Sequence, residues 1–302
     1  MKAADVMADV VARLVAQIEA GASDWSMPWR KITATGWPTN ATTGARYGGA
    51  NAIALWFEAE RQGFASSRYA TYRQWAEVGV QVLRGERGTH LVYWHQPSRS
   101  NDQSTEIDTN ESDDNDGAVT GSSRRGGWAR SFVVFNAAQT DTDDTATADV
   151  AVDVGCVARD VRADEVLGAV PVEVRWGRGR AAYHPAGDFV TMPAFDTFTT
   201  TEDAYATLCH ELAHATGHPS RLNRTFGRRF GDHAYAAEEL VAEISAAFTC
   251  ATLGIDTVAR TDHAAYLASW CAMLRAQPAV LWSVASKAQA ATDHLLAYHQ
   301  SR

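Results

Sequence analysis

The sequence holds no apolar run of the roughly 20 residues needed to cross a bilayer, no CxxC pair, and no surplus of positive charge. The first lack excludes a membrane-spanning helix and, with it, a membrane partner. Four cysteines (Cys156, Cys209, Cys250 and Cys271) without a dense framework predict reduced thiols and a cytoplasmic setting. A net charge of −9 excludes a wholly cationic nucleic-acid coat protein. The first 21 residues lack a signal-peptide pattern, because Asp5, Asp9 and Arg13 interrupt the apolar positions of what reads as an amphipathic helix. What remains, 302 residues at 46% hydrophobic and 21% charged, suits an ordinary soluble protein of two domains.

Charge is unevenly spread. Residues 1–97 carry 10 Lys/Arg against 8 Asp/Glu, residues 98–127 carry 3 against 7, and residues 128–302 carry 14 against 21. A mildly basic front on an acidic protein permits local nucleic-acid binding. Residues 98–127 contain only Ile107, Ala118 and Val119 as apolar members. Such a stretch cannot offset an ordering cost of about 1–2 kcal/mol per residue, so it reads as a disordered acidic loop. THLVYWHQ (89–96) and WARSFVVFN (128–136) have strand character on either side and predict a hairpin. The polar run 140–149 reads as the interdomain linker, which gives domains at 1–139 and 150–302. In the front domain Val6, Val10, Leu14 and Ile18 predict a helix with Gly21 as C-cap. Further helices are expected at about 50–62 and from Thr71. The rear domain reads as short strands at 171–176, 180–184 and 188–193, then helices at 201–216, 234–252, 261–276 and 278–299. Both halves are therefore α+β.

Residues 207–218, TLCHELAHATGH, contain His210-Glu211-x-x-His214. Histidines four apart on a helix differ by about 6 Å of rise and about 40° of rotation, so both imidazoles can share one ion. Two such nitrogens suit Zn²⁺ at about 2.0–2.1 Å, although another divalent ion has the same needs. Glu211 lies beside the open position, where a carboxylate can move a proton from water to a leaving amine. The class that continues H-E-x-x-H-x-x-G-x-x-H is excluded, because Ser220 stands at the final position. YAAEELVAEISAAF (235–248) instead offers Glu239 as third ligand, with Glu238 as its rival, and Glu243 one turn on to receive a ligand histidine's N–H. His218 and His233 are alternative ligands, and more readily loop or surface residues. Tyr183 and Tyr235 are oxyanion candidates or core residues, and the Asp188 segment is a candidate edge strand.

Seven of the ten tryptophans lie in residues 1–128. WSMPWRK, ARYGGAN and RYATYRQW interleave aromatic rings with cations, as single-strand binding requires, and LRGERG (83–88) adds a turn with two arginines whose glycines allow a close backbone approach. The candidate DNA contacts are Trp25, Trp29, Arg30, Lys31, Trp37, Arg46, Tyr47, Arg68, Tyr72, Arg73, Arg84 and Arg87. Trp56 and Trp75 fall in helical apolar patterns and read as core.

The segments PWRK, PTNATTGARYGGANAIALW, YATYRQWAEVGVQVLRGERGTHLVYW and FVVFNAAQTD resemble the N-terminal domain of ArdC-type antirestriction proteins, also found on TraC-type plasmid primases. YHPAGDFVTMPAFDTF, the HELAH helix and the EELVAE helix are similar to the metallopeptidase-like domain of those proteins. The resemblance implies a plasmid or phage protein with a front domain for single-stranded DNA and a zincin-like rear domain. It implies His210, His214 and Glu239 as ligands and Glu211 as catalytic carboxylate, with a protein or peptide as a further partner. A regulatory metalloprotease cleaving a protein such as a repressor, and a DNA shield with a structural metal, are the competing readings.

Overall fold

A computed structural model describes residues 2–20, 36–95, 128–142, 159–224, 233–255 and 264–300. The expected acidic loop, the Gly21 cap and most of the expected linker lie outside these residues. So do Cys156, Trp25, Trp29, Arg30 and Lys31.

Helix α1 (Ala3–Ala20) turns Val11, Leu14, Val15 and Ile18 inward, as its apolar spacing requires. Strand β1 (Thr39–Asn40) leads to α2 (Gly49–Gln62), which closes at Gly63 in the left-handed region, where a side chain would be strained. After β2 (Arg68–Ala70), Thr71 caps α3 (Tyr72–Glu77). Its hydroxyl accepts from Gln74 N–H, while the Gln74 side chain accepts from Thr71 N–H. Strands β3 (Thr89–His95) and β4 (Trp128–Asn136) form the expected antiparallel hairpin, in register from Thr89 opposite Val134 to His95 opposite Trp128. The sheet order is β1-β2-β4-β3, which leaves β3 at an edge. Asn51 of α2 satisfies that edge: its amide donates to Val92 O at 2.8 Å and accepts from Val92 N at 3.0 Å.

Two front-half expectations change. Gly88 of LRGERG allows a close approach, but to β4: a Cβ there would meet Val133 Cγ1 at 2.4 Å and Val134 O at 2.7 Å. Thr140 is buried, donates to Ala137 O at 2.7 Å and bridges Val82, so residues 140–142 still belong to the front half.

The rear half opens with α4 (Val161–Gly168), which the sequence reading missed, capped by Asp160 accepting from Ala163 N–H. Strands β5 (Glu173–Trp176), β6 (Ala182–His184) and β7 (Phe189–Met192) form a sheet of order β5-β7-β6. The Asp188 segment, expected at an edge, is the central strand because β5 and β6 pair with its two sides, and β6 is the antiparallel edge. Helices α5 (Thr201–Thr216), α6 (His233–Leu253), α7 (Ala264–Ala276) and α8 (Val280–Gln300) follow, close to their expected bounds.

The two halves share apolar packing. Trp37 and Trp56 from the front meet Phe248 of α6 at ring distances of 5.1 and 5.5 Å, and each other at 5.3 Å. At roughly 150–250 Å² per ring, each contributes at most about 4–6 kcal/mol of gross transfer free energy. Helix α6 therefore runs from this shared core to the face that opposes α5. The described cysteines, Cys209, Cys250 and Cys271, are buried and unbridged.

Candidate metal centre

Helices α5 and α6 lie side by side, and each contributes one acidic or imidazole face to the space between them. From α5, His210 Nε2 and His214 Nε2 approach to 3.2 Å. From α6, Glu239 brings Oε2 to 3.6 Å from His210 Nε2 and Oε1 to 3.7 Å from His214 Nε2. Tetrahedral donors at about 2.0–2.1 Å from a shared ion stand roughly 3.3 Å apart. The triangle is within a few tenths of an ångström of that, so the donor set fits a divalent cation. Among the described residues, these three are the one group of His, Cys, Asp and Glu that converges in this way.

The other ring nitrogens are held from behind. His210 Nδ1 stands 3.5 Å from Glu243 Oε2, and His214 Nδ1 stands 3.4 Å from Glu238 Oε1. Glu238 thus stands outside the triangle: a neighbour of Glu239 is rotated about 100° around the helix and reaches the far side of His214. Its carboxylate also accepts from Arg224 Nε at 3.0 Å and Nη2 at 2.7 Å. Arg224 in turn donates to Thr216 Oγ1 and Ala213 O, at 2.6 and 2.7 Å, closing the end of α5. Nothing but its charge marks Arg224 in the sequence; no spacing identifies an arginine that folds back on a helix end.

Burial pulls the His214 imidazole down, but its bonds to Glu238 and Glu239, with the Glu211 charge, outweigh that and lift it to about 10. Burial raises Glu239, and the two histidines outweigh it and hold the carboxyl far below the usual range. Glu238 is lowered by the same balance, burial against His214 and Arg224. Glu211 is buried beside the triangle, and its Oε2 accepts from the Tyr183 N–H of edge strand β6 at 2.8 Å. Tyr183 uses its hydroxyl on Asp188 Oδ1 at 2.9 Å; burial first, then that bond, push the phenol up to about 12. Arg221 binds both Asp188 oxygens and donates to Ala215 O, which ties the β6–β7 turn to the end of α5. His218 sits in the turn after α5 with Ser220 Oγ on its Nδ1, and His184 stacks on Phe189, so neither joins the triangle.

A family model described as the N-terminal domain of anti-restriction factor ArdC matches residues 4–146, and one described as a zincin-like metallopeptidase matches residues 161–287. The crystal structure of metal-free antirestriction ArdC from plasmid R388 superposes at TM-score 0.78, with 34% identity and 98% of each chain covered. The chain belongs to the ArdC antirestriction family. The Mn(II)-bound structure of that ArdC superposes at TM-score 0.74, with 32% identity over 97% of each chain. Uncharacterized protein y4eC of Sinorhizobium fredii is 37% identical over 96% of this chain and 91% of its own. DNA primase TraC of Escherichia coli is 36% identical over 97% of this chain, which spans only 27% of TraC. The fold is therefore an ArdC N-terminal domain joined to a zincin-like domain, both of mixed helix and sheet.

The candidate DNA contacts of this ArdC-family chain divide sharply. Trp37 is a correction: it is 8% exposed, donates Nε1–H to Tyr47 O at 2.8 Å, and belongs to the shared core, so it has no free face for a base. Tyr47 is half-buried, edge-on to Tyr69, and burial pushes its hydroxyl up to about 12. Arg46 is exposed, with its guanidinium 5.4 Å over Trp37, at a cavity of about 290 Å³ between the halves that Thr252, Gln289 and Asp293 also line. Arg68, Tyr72, Arg73, Arg84 and Arg87 are exposed, and Arg73 pairs with Glu77 at 2.9 Å. Trp56 and Trp75 are core, as expected. The sequence reading passed over Tyr93, Trp94 and Trp128, which are exposed; the signal available was an aromatic cluster at the outer ends of two predicted strands.

Proposed function

We propose that the protein is an antirestriction factor of a mobile element that binds single-stranded DNA through its front half and hydrolyses a peptide bond at the metal centre. The observation that carries the enzymatic part is the His210–His214–Glu239 triangle with Glu211 beside it. His210 Nε2, His214 Nε2 and a Glu239 oxygen would hold the ion, and two imidazoles with one carboxylate favour zinc. Such an ion supplies Lewis acidity toward a scissile carbonyl and makes an attacking water more acidic.

The protein's own groups do the rest. One Glu211 oxygen accepts from the Tyr183 N–H, which leaves the other to act as the base. That oxygen takes a proton from the attacking water and returns it to the leaving amine nitrogen. Glu238 accepts from the Nδ1–H of His214, and Glu243 stands 3.5 Å behind His210 Nδ1, an arrangement that favours the tautomers with both Nε2 lone pairs facing inward. Strand β6 offers an edge beside Glu211, along which an extended peptide could lie. The DNA part rests on family membership and on residues 1–97, which carry 10 Lys/Arg against 8 Asp/Glu. We place the protein in the cytoplasm, where incoming DNA meets restriction enzymes.

The test is transfer of an unmodified plasmid into a restricting host that expresses the wild type, Glu211→Gln or His214→Ala. Protection that survives His214→Ala but also survives Glu211→Gln would leave only the DNA-shielding reading. Loss with both, while Glu211→Gln still binds Zn²⁺ in equilibrium dialysis, supports hydrolysis.

A further inference from the structure

The β3–β4 hairpin extends past the helices that cover it. Along one face, Leu91 is buried and Phe132 packs against it, in a cluster with Ala54 and Leu55 of α2. Farther out on the same face, Tyr93 stands opposite Arg130 across the ladder, and Trp128 follows two residues along β4. Side chains alternate along a strand, so Tyr93, Arg130 and Trp128 share that face. All three are exposed, Tyr93 at 42% and Trp128 at 41%. Their rings stand 6.0 Å apart, inclined at 58°, as a tilted pair on the exposed part of the sheet. Among the described residues, Arg130 has no carboxylate partner. In contrast, the front-half tryptophans Trp37, Trp56 and Trp75 are all buried.

An exposed indole beside an exposed phenol forgoes the burial that drives folding, and such a pair marks a surface with an occupant. The chemistry here selects the occupant. The exposed large apolar residues of this hairpin are all aromatic; the exposed aliphatic ones, Val78, Leu83 and Val161, lie on other elements. Rings with a cation beside them match planar bases and anionic phosphates. A protein partner would be met by mixed aliphatic surface. A duplex hides its base faces in its own stack, whereas an unpaired strand exposes them.

We propose that Tyr93, Arg130 and Trp128 form a stacking platform for unpaired bases of a single-stranded nucleic acid, with the Arg130 guanidinium on a phosphate between them. This placement rests on the single-strand-binding reading above and locates it on a surface that the basic loops do not share.

The experiment is fluorescence anisotropy of a labelled oligothymidylate, titrated with full-length protein at several salt concentrations. Trp128→Ala and Tyr93→Ala each weaken binding about tenfold, the scale of one lost stack. Trp128→Phe, which keeps a ring, retains most of the affinity. Arg130→Gln lowers the slope of log K against log salt by about 0.7, one phosphate contact on a single strand. Arg175→Gln, on the exposed face of β5 in the rear half, leaves affinity near that of the wild type. The thermal midpoint of every variant stays at the wild-type value, because the side chains are exposed. Wild-type binding that is unchanged by both alanine variants overturns the platform and leaves single-strand binding intact. A wild type that does not bind the oligonucleotide overturns both. A midpoint that falls with Trp128→Ala as far as affinity does assigns the ring to packing and overturns the platform as well.

Discussion

Replacing Arg224 with Met tests whether the metal centre is held by the ion pair behind it. The Arg224 and Glu238 side chains are each 7% exposed, and the guanidinium makes four hydrogen bonds: two to Glu238, one to Thr216 Oγ1 and one to Ala213 O. Removing one partner of a buried pair strands the other charge and costs about 3–5 kcal/mol. Methionine fills much of the stem's volume, so little cavity cost is added. The measurement is urea unfolding with a chelator present, so that metal linkage does not enter. Arg224→Met should lose about 3–5 kcal/mol, whereas Arg73→Met, which breaks an exposed pair, should lose under about 1 kcal/mol. Removing both partners in Arg224→Met/Glu238→Met should recover part of the loss, with a coupling of about 1–3 kcal/mol. If Arg224→Met falls as little as Arg73→Met does, the buried pair does not hold α5 against α6, and the argument fails.

Three further outcomes follow from the same geometry. Glu243→Gln should weaken Zn²⁺ binding about 10- to 100-fold in a competition titration, the usual effect of losing a carboxylate behind a ligand histidine; an unchanged affinity would show that Glu243 does not orient His210. Arg221 holds the Asp188 carboxyl down at about 2, against the opposing effect of burial, from an ordinary 3.8. Because the folded value is the lower one, this contribution is complete above pH 3.8 and disappears as pH falls toward about 2; the gap in urea midpoint between wild type and Asp188→Asn should therefore close over that interval and stay constant from pH 5 to 7. Trp37→Ala should lower stability by about 3–5 kcal/mol, as core tryptophans do, while leaving oligonucleotide affinity near wild type once folded protein is counted; a large affinity loss would restore Trp37 as a base contact.

Periodicity carried most of the fold. Val6, Leu14 and Ile18 mark α1, Thr71 marks the start of α3, and the alternation in 89–95 and 128–136 marks the hairpin, because in each case one face must be buried. The elements that were missed are short. Strand β1 has two residues and β2 has three, too few for a period to register, and α4 carries only three buried apolar side chains. The packing of Trp37 on Phe248 was out of reach for another reason: the two positions are separated by most of the chain, and nothing local records which loop tryptophan faces inward.

The metal centre was legible to the extent that its chemistry is local. Histidines four apart fix their own geometry on any helix, and Glu239 and Glu243 fix theirs, so a single assumption, that α5 and α6 lie side by side, assembles the triangle. Telling Glu239 from Glu238 needed the rotation of α6, which is set by what its other faces bury. Phe248 packs against Trp37 and Trp56 at one end, and Leu240, Val241 and Ile244 lie in the same core nearer the site. That packing turns Glu239 toward the histidine nitrogens and leaves Glu238 to Arg224. The front half thus helps to set the rotation of the helix that completes the ligand set, so truncating at the boundary between the two family models would remove a wall of the core from α6. A rear fragment starting at Val161 should consequently bind Zn²⁺ more weakly than the full chain, even though all three ligands are retained. Equal affinity in equilibrium dialysis would show that the rear helices α5, α7 and α8 hold α6 in register by themselves.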